Sequence, residues 1–287
     1  VLLAACAEGG GPGDGVPKTG STATTAPAAG ALPPPSIPPP TSTPATGTAG
    51  GLAARLSEVE AAIRDPATPA ARLAALGHSQ QRAYRALVRR PRLLPEVLRL
   101  VPPGLRGSVR ANALAGAELR KLSGPPRKRR LPRWRIVPPR PAAELLAEYR
   151  GAEAALGVDW EYLAAIHVVE TRVGRIRGTS SAGAQGPMQF LPSTWRRYGA
   201  GGDIGDVHDA VLAAARLLRA NGAPADMAAA LYSYNPSRRY VRAVTAYARQ
   251  MQADPRAFLG YHSWQVYFGD VLLPEGYPAR RAVPDAG

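Results

Sequence analysis

Leu52, Leu56, Val59 and Ile63 recur at i, i+4, i+7 and i+11. Spacing of this kind, repeated along most of the chain after position 51, decides the fold class. Apolar residues three and four apart line one face of a helix. Leu73, Leu76, Tyr84, Leu87 and Val88 continue the pattern after Pro66 and Pro69. Leu93, Leu94, Val97, Leu98 and Val101 form a third group, stopped by Pro102 and Pro103. Val109, Ala113, Leu114, Ala117 and Leu122 form a fourth. Three or four amphipathic helices are expected over residues 51–123, with packing or docking as their default role. No stretch alternates as a half-buried strand does, so the expected class is all-α.

Residues 7–50 are Pro, Thr, Ala, Gly and Ser with almost no charge. Such a segment cannot bury enough surface to offset its ordering entropy, and reads as a disordered linker. It would span roughly 40 Å as a flexible coil and roughly 130 Å if its proline runs stiffen. Before it stands the only cysteine, Cys6, so no intramolecular disulfide can form. Leu3-Ala4-Ala5-Cys6 resembles a bacterial lipobox, whose Cys becomes lipidated, although no charged n-region and almost no apolar h-region precede it. The expectation is an exported protein, lipid-anchored through Cys6 to the outer face of the cytoplasmic membrane in the cell wall. A lone Cys in a linker is the alternative.

The formal net charge of +15 favours an anionic partner. Six basic residues and Trp134 fall within 125–135, in a Pro/Arg-rich strap over 124–141. That strap is either a patch for anionic wall polymers or lipid headgroups, or an exposed interdomain connection. Export leaves nucleic acid out as a partner. Three of the four tryptophans lie after residue 150, which places the expected dense core in the C-terminal half.

Residues 142–255 carry the chemistry. Ala142 to Leu156 reads as a helix ended near Gly157, and Asp159 as the N-cap of a helix running to about Val173. Short helices are expected near 187–198, 209–221, 225–233 and 237–252, followed by a tail over 256–287 whose aromatics pack back and whose last ten residues fray. Glu170 lies seven residues after Leu163 and four after Ile166, on the same expected apolar face. Burying a carboxylate there is costly unless it is paired or neutral. A general acid for glycosidic cleavage needs such surroundings. Escape to solvent, or pairing with Arg172 or Arg175, is the alternative. His167 and Glu170 form His-x-x-Glu, but Thr171 stands where a zincin needs its second His, so no metal is expected. His167 reads as a packed histidine. Asp203, Asp206 and Asp209 lie at a helix start, where Asp caps amides.

The segment Gly183-Ala184-Gln185-Gly186-Pro187-Met188-Gln189-Phe190-Leu191-Pro192-Ser193-Thr194-Trp195 follows a helix ending Glu170-Thr171. Tyr234-Asn235-Pro236-Ser237, with Tyr240-Val241, comes later, and Asp209 to Asn221 lies between. In this order the motifs resemble the transglycosylase domain of soluble lytic transglycosylases and goose-type lysozymes, nearest to actinobacterial members, over about residues 142–252. The resemblance implies a lysozyme-like fold with Glu170 as catalytic acid/base. It implies Met188, Gln189 and, more weakly, Ser180 as residues lining the sugar subsites. Tyr234 would stand beside the acid, with Asn235 holding the adjoining turn. Thr171 stands where many members have Ser. Gly183 and Gly186 fit a loop that approaches the sugar closely.

The family mechanism uses one carboxyl and no cofactor on peptidoglycan glycan strands. Glu170 protonates the oxygen between MurNAc and GlcNAc, then takes the C6 hydroxyl proton, and a 1,6-anhydroMurNAc end forms. Most glycosidases instead flank the bond with two carboxylates. A hydrolytic muramidase and a non-catalytic wall-binding lipoprotein are the other readings.

Overall fold

The computed structural model describes residues 47–124 and 131–284. Cys6, the lipobox and the linker up to residue 46 lie outside the described residues, as do residues 125–130 of the strap. Eleven α-helices and five short strands make up the described chain. It is mostly helical, as the spacing predicts.

Helix α1, Ala49–Arg64, starts two residues earlier than expected because Thr48 caps it, its hydroxyl accepting the Gly51 amide at 3.1 Å. Leu52, Leu56, Val59 and Ile63 are all fully buried. Helix α2 is Ala70–Arg89, and a 3-10 turn at Pro91–Leu93 leads into α3, Leu94–Leu100. Helix α4, Pro103–Ser123, ends at Gly124. Here one expectation fails. Leu114 is 44% exposed, and the buried face carries Val109, Asn112, Ala113, Ala115, Glu118 and Leu119. Two polar residues sit on that face, so apolar spacing alone assigns it wrongly.

These helices do not form a separate module. Helix α4 packs along α10 (Arg238–Ala253), and α2 packs against α11 (Ala257–His262). One hydrophobic core runs from Leu52 and Leu87 through Val109 and Leu163 to Tyr240 and Phe258. The core is therefore not confined to the C-terminal half; Ala and Leu supply in the N-terminal helices what aromatics supply later.

A polar network is sealed into the same contact. Glu60, wholly buried, accepts hydrogen bonds from Arg64, from the Tyr84 hydroxyl and from Gln80 Nε2 (3.0 Å). Gln80 Oε1 accepts the Trp264 indole N–H at 2.9 Å, and Tyr261 donates to Asn112 Oδ1 at 2.7 Å. Trp264 of the tail thus packs back onto the domain as expected, inside its core.

The strap and the tail also build a second, small core. Strand β1, Arg135–Ile136, pairs antiparallel with β2, Ile176–Arg177. Strands β3 (Val266–Phe268), β4 (Val271–Leu273) and β5 (Val283–Pro284) form an antiparallel meander. Ile136, Ile176, Val266, Leu273 and Tyr277 pack between them. The expected fraying does not extend to residues 278–284, which are held by the β4–β5 pairing. Strands of two or three residues are too short to display alternation, which is why the sequence hides them.

Helices α5 (Ala142–Leu156), α6 (Trp160–Thr171), α7 (Pro192–Tyr198), α8 (Val207–Ala220) and α9 (Met227–Tyr234) complete the order. Gly157, at φ 65°, ends α5 as expected. Asp159 occupies the N-cap position of α6 but makes no capping bond; its carboxylate accepts from Gln252 instead. Among the described residues no helix is long and apolar enough to cross a membrane.

Candidate active site

Helix α6 is buried on every side, not along one stripe: residues 162–171 are all buried. A helix apolar all round belongs in the middle of a core. It runs between α5, α10 and α11. Glu170, in its last turn, is 1% exposed. The charges proposed as alternative partners are engaged elsewhere. Arg172 donates to the Val168 carbonyl at 2.6 Å, and Arg175 pairs with Glu275.

The helix stops abruptly one residue later. Arg172 and Val173 both adopt left-handed conformations, at φ 54° and 53°. A β-branched residue there is strained by about 1–3 kcal/mol and persists only when packing holds it. Val173 is 1% exposed and donates its amide to the His167 carbonyl at 3.1 Å. Thr171 completes the stop. Its hydroxyl donates to the Pro187 carbonyl at 2.6 Å and accepts the Gly174 amide at 3.0 Å. One side chain thereby fastens the end of α6 to the following loop.

That loop is a closed turn. Gln185 and Phe190 exchange backbone hydrogen bonds of 2.8 and 2.9 Å. No helix forms before Pro192, so the expected start at 187 is corrected: Gln189 takes a left-handed φ of 53°, which breaks helical continuity. Gly186 is required by a neighbour within the fold. A Cβ there would collide with the Ile204 carbonyl. Gly183 has open space around its missing Cβ and a φ of 82°, so its glycine answers to conformation.

The expected sugar-lining residues separate. Gln189 is 3% exposed; its Nε2 donates to the Gly186 carbonyl (3.0 Å) and the Gly178 carbonyl (3.4 Å), while Oε1 finds no hydrogen-bond partner among the described residues. Met188 is wholly buried, so its side chain packs under the loop and does not line a surface. Ser180 is also buried, and its hydroxyl accepts the Ala184 amide at 3.0 Å, closing the loop from within. Asn235 caps the end of α9, its carbonyl accepting the Ser237 amide at 2.6 Å.

Tyr234 is partly buried and donates its hydroxyl to the Met188 carbonyl at 2.5 Å. Its proton is therefore committed to the loop. Phe190 contacts its ring edge-on at 5.7 Å, and Tyr240 stacks on it at 6.3 Å with planes 4° apart. Tyr240 is the residue the sequence reading leaves without a role. It is wholly buried at the start of α10. Its hydroxyl has no hydrogen-bond partner among the described residues, and the charge of Glu170 acts on it. Burial first, then the Glu170 charge, holds both phenols well above their ordinary range, so both stay protonated. Glu170 thus acts by charge on two protonated tyrosines, from the end of a helix pinned to the following loop.

The sequence profile of the Transglycosylase SLT domain family matches residues 149–256. The chain carries a transglycosylase SLT domain. No curated protein and no solved structure matches the chain. The SLT segment covers α6, the Gln189 loop and both tyrosines, and leaves out α1–α4, the strap and the terminal sheet. SLT domains are lytic transglycosylases, so the chain is an enzyme acting on peptidoglycan.

The three aspartates at the α8 start are committed to SLT backbone amides. Asp206 accepts from Asp209, Asp209 from Asp203, and Asp203 from Gly205, at 2.8–3.1 Å. His167 is wholly buried with its Nδ1 2.8 Å from the Tyr149 hydroxyl. Burial, then the charges of Arg177 and His262, lowers it from 6.5 to about 3. It is buried neutral and must take up a proton on unfolding below pH 6.5. Its contribution to stability is present above that pH and is lost as pH falls toward 3, by about 1.4 kcal/mol per pH unit. Urea unfolding of the wild type and of His167→Gln at pH 7.5 and 4.5 checks this. Their stabilities should converge as pH falls; parallel decline would show that another group carries the slope.

Proposed function

We propose that the enzyme cleaves the MurNAc–GlcNAc β-1,4 bond and leaves 1,6-anhydroMurNAc ends. The observation carrying this reading is the enclosure of Glu170, a single carboxyl at 1% exposure between Tyr240 and the loop fastened by Thr171, while the nearby aspartates cap backbone. A carboxyl so placed donates its proton to the glycosidic oxygen as the leaving group departs. The N-acetyl group of the sugar supports the developing cation. Glu170, now ionised and facing the Tyr240 phenol, takes the C6 hydroxyl proton as that oxygen closes on C1. Tyr240 orients the carboxylate; Tyr234 holds the loop through Met188.

Digestion of purified peptidoglycan with the full chain, followed by mass spectrometry of the ends, tests the bond and the product. Anhydro ends, lighter by one water than reducing ends, are expected. Reducing ends throughout would favour the hydrolytic muramidase.

Export and lipid attachment at Cys6 belong to the same proposal, supported by the lipobox-like residues 3–6. So does a contact between the strap and anionic wall polymers or lipid headgroups. Its support is that Arg133 and Arg135 are exposed, and Trp134 packs on Gly178, whose carbonyl accepts from Gln189.

A further inference from the structure

We infer that helix α4, which lies outside the SLT segment, is a working part of the active site: Glu118 fixes the first turn of α10 and so holds Tyr240 against Glu170. The inference rests on the reading of Glu170 as the proton donor and acceptor.

Glu118 is 5% exposed on the face of α4 that meets α10. Its Oε2 accepts from Arg242 twice, from Nε at 3.1 Å and from the terminal nitrogen at 2.5 Å. Arg239 approaches the same oxygen at 4.0 Å, and Lys121 lies 3.8 Å from Oε1. Arg239 and Arg242 flank Tyr240 in the first turn of α10. Two hydrogen bonds from one guanidinium fix direction as well as distance, and the Arg242 side chain is 48% exposed, so geometry and not burial carries the pair. Ser237 caps the same turn through the Tyr240 amide at 3.5 Å, a long bond for a helix to depend on. Besides the packing of α10 on α4 and α6, Glu118 is a second polar anchor on this turn. Because Tyr240 stacks on Tyr234, a shift of the turn would disturb both phenols that face Glu170. Glu118 and Arg242 are positioning residues; neither touches substrate on this reading.

The test is a double-mutant cycle on peptidoglycan turnover with the full chain. Glu118→Gln and Tyr240→Phe should each lower kcat by about tenfold or more with KM little changed, as small misplacements of catalytic groups do. Combined, they should cost less than twofold beyond Tyr240→Phe alone, since both remove one interaction. Their pH–rate profiles should move in the same direction by the same amount. Arg242→Lys, which keeps the charge but cannot make the two-point bond, should lose activity as Glu118→Gln does. Glu58→Gln, on the exposed ion pair of α1 with Arg55, should leave activity unchanged. If Glu118→Gln folds poorly, Arg242→Gln supplies the same cycle, with Glu118 still facing Arg239 and Lys121. Fully multiplicative losses with an unmoved pH profile would overturn the inference and leave the role of Glu170 intact. An active Glu170→Gln enzyme would remove both.

Discussion

Glu170→Gln is expected to lose turnover of purified peptidoglycan by about 10³-fold, within the range that a positioned general acid contributes. Gln keeps the volume, so the fold should be retained and the melting temperature nearly unchanged. A carboxamide cannot supply the proton that the departing oxygen needs, nor take the one from the C6 hydroxyl. The loss should therefore fall on kcat, with binding of glycan strands preserved. Turbidity clearance of purified wall, with the anhydro ends counted by mass spectrometry, gives both quantities. Activity within tenfold of wild type would sink the assignment, because no conservative structural effect could be blamed.

The largest effect on stability is expected from Glu60→Ala. Glu60 is wholly buried and serves Arg64, Tyr84 and Gln80 at once, and Gln80 in turn holds Trp264. Removing the carboxylate leaves a guanidinium, a phenol and an amide short of a partner inside the contact between α1, α2 and the tail. Breaking a buried charged pair from one side costs about 3–5 kcal/mol. For a chain of this size that corresponds to roughly 6–15 °C in melting temperature. Equilibrium urea unfolding checks it. A loss under about 1 kcal/mol would mean that water or a rearranged side chain replaces the carboxylate, and that the network is less enclosed than its geometry indicates.

That network also explains what the sequence displayed and what it concealed. Long helices such as α1 and α5 are legible because most of their buried positions are apolar and recur at helical spacing. Helix α4 is misread at Leu114 because its buried face is partly polar: Asn112 and Glu118 take core positions through partners more than twenty residues away. Pairings of that range leave no local trace. Glu170 is legible from its motif, but α6 is buried all round, so the apolar stripe thought to single it out does not exist. Gly186 shows as a required glycine, but the Ile204 carbonyl that a Cβ would strike lies eighteen residues away in sequence. Tyr240 lies in plain view within its motif. Its role depends on α10 crossing α6, which only the fold supplies.

The pair of hydrogen bonds at Thr171 sets the terms on which position 171 can vary. One oxygen must donate to Pro187 and accept from Gly174 at the same time. Serine and threonine meet both demands at that reach; valine has the shape without the bonds, and alanine has neither. Exchange between the two hydroxyl residues therefore keeps both bonds, whereas any residue without a hydroxyl unties the loop from the helix even though the acid itself is untouched.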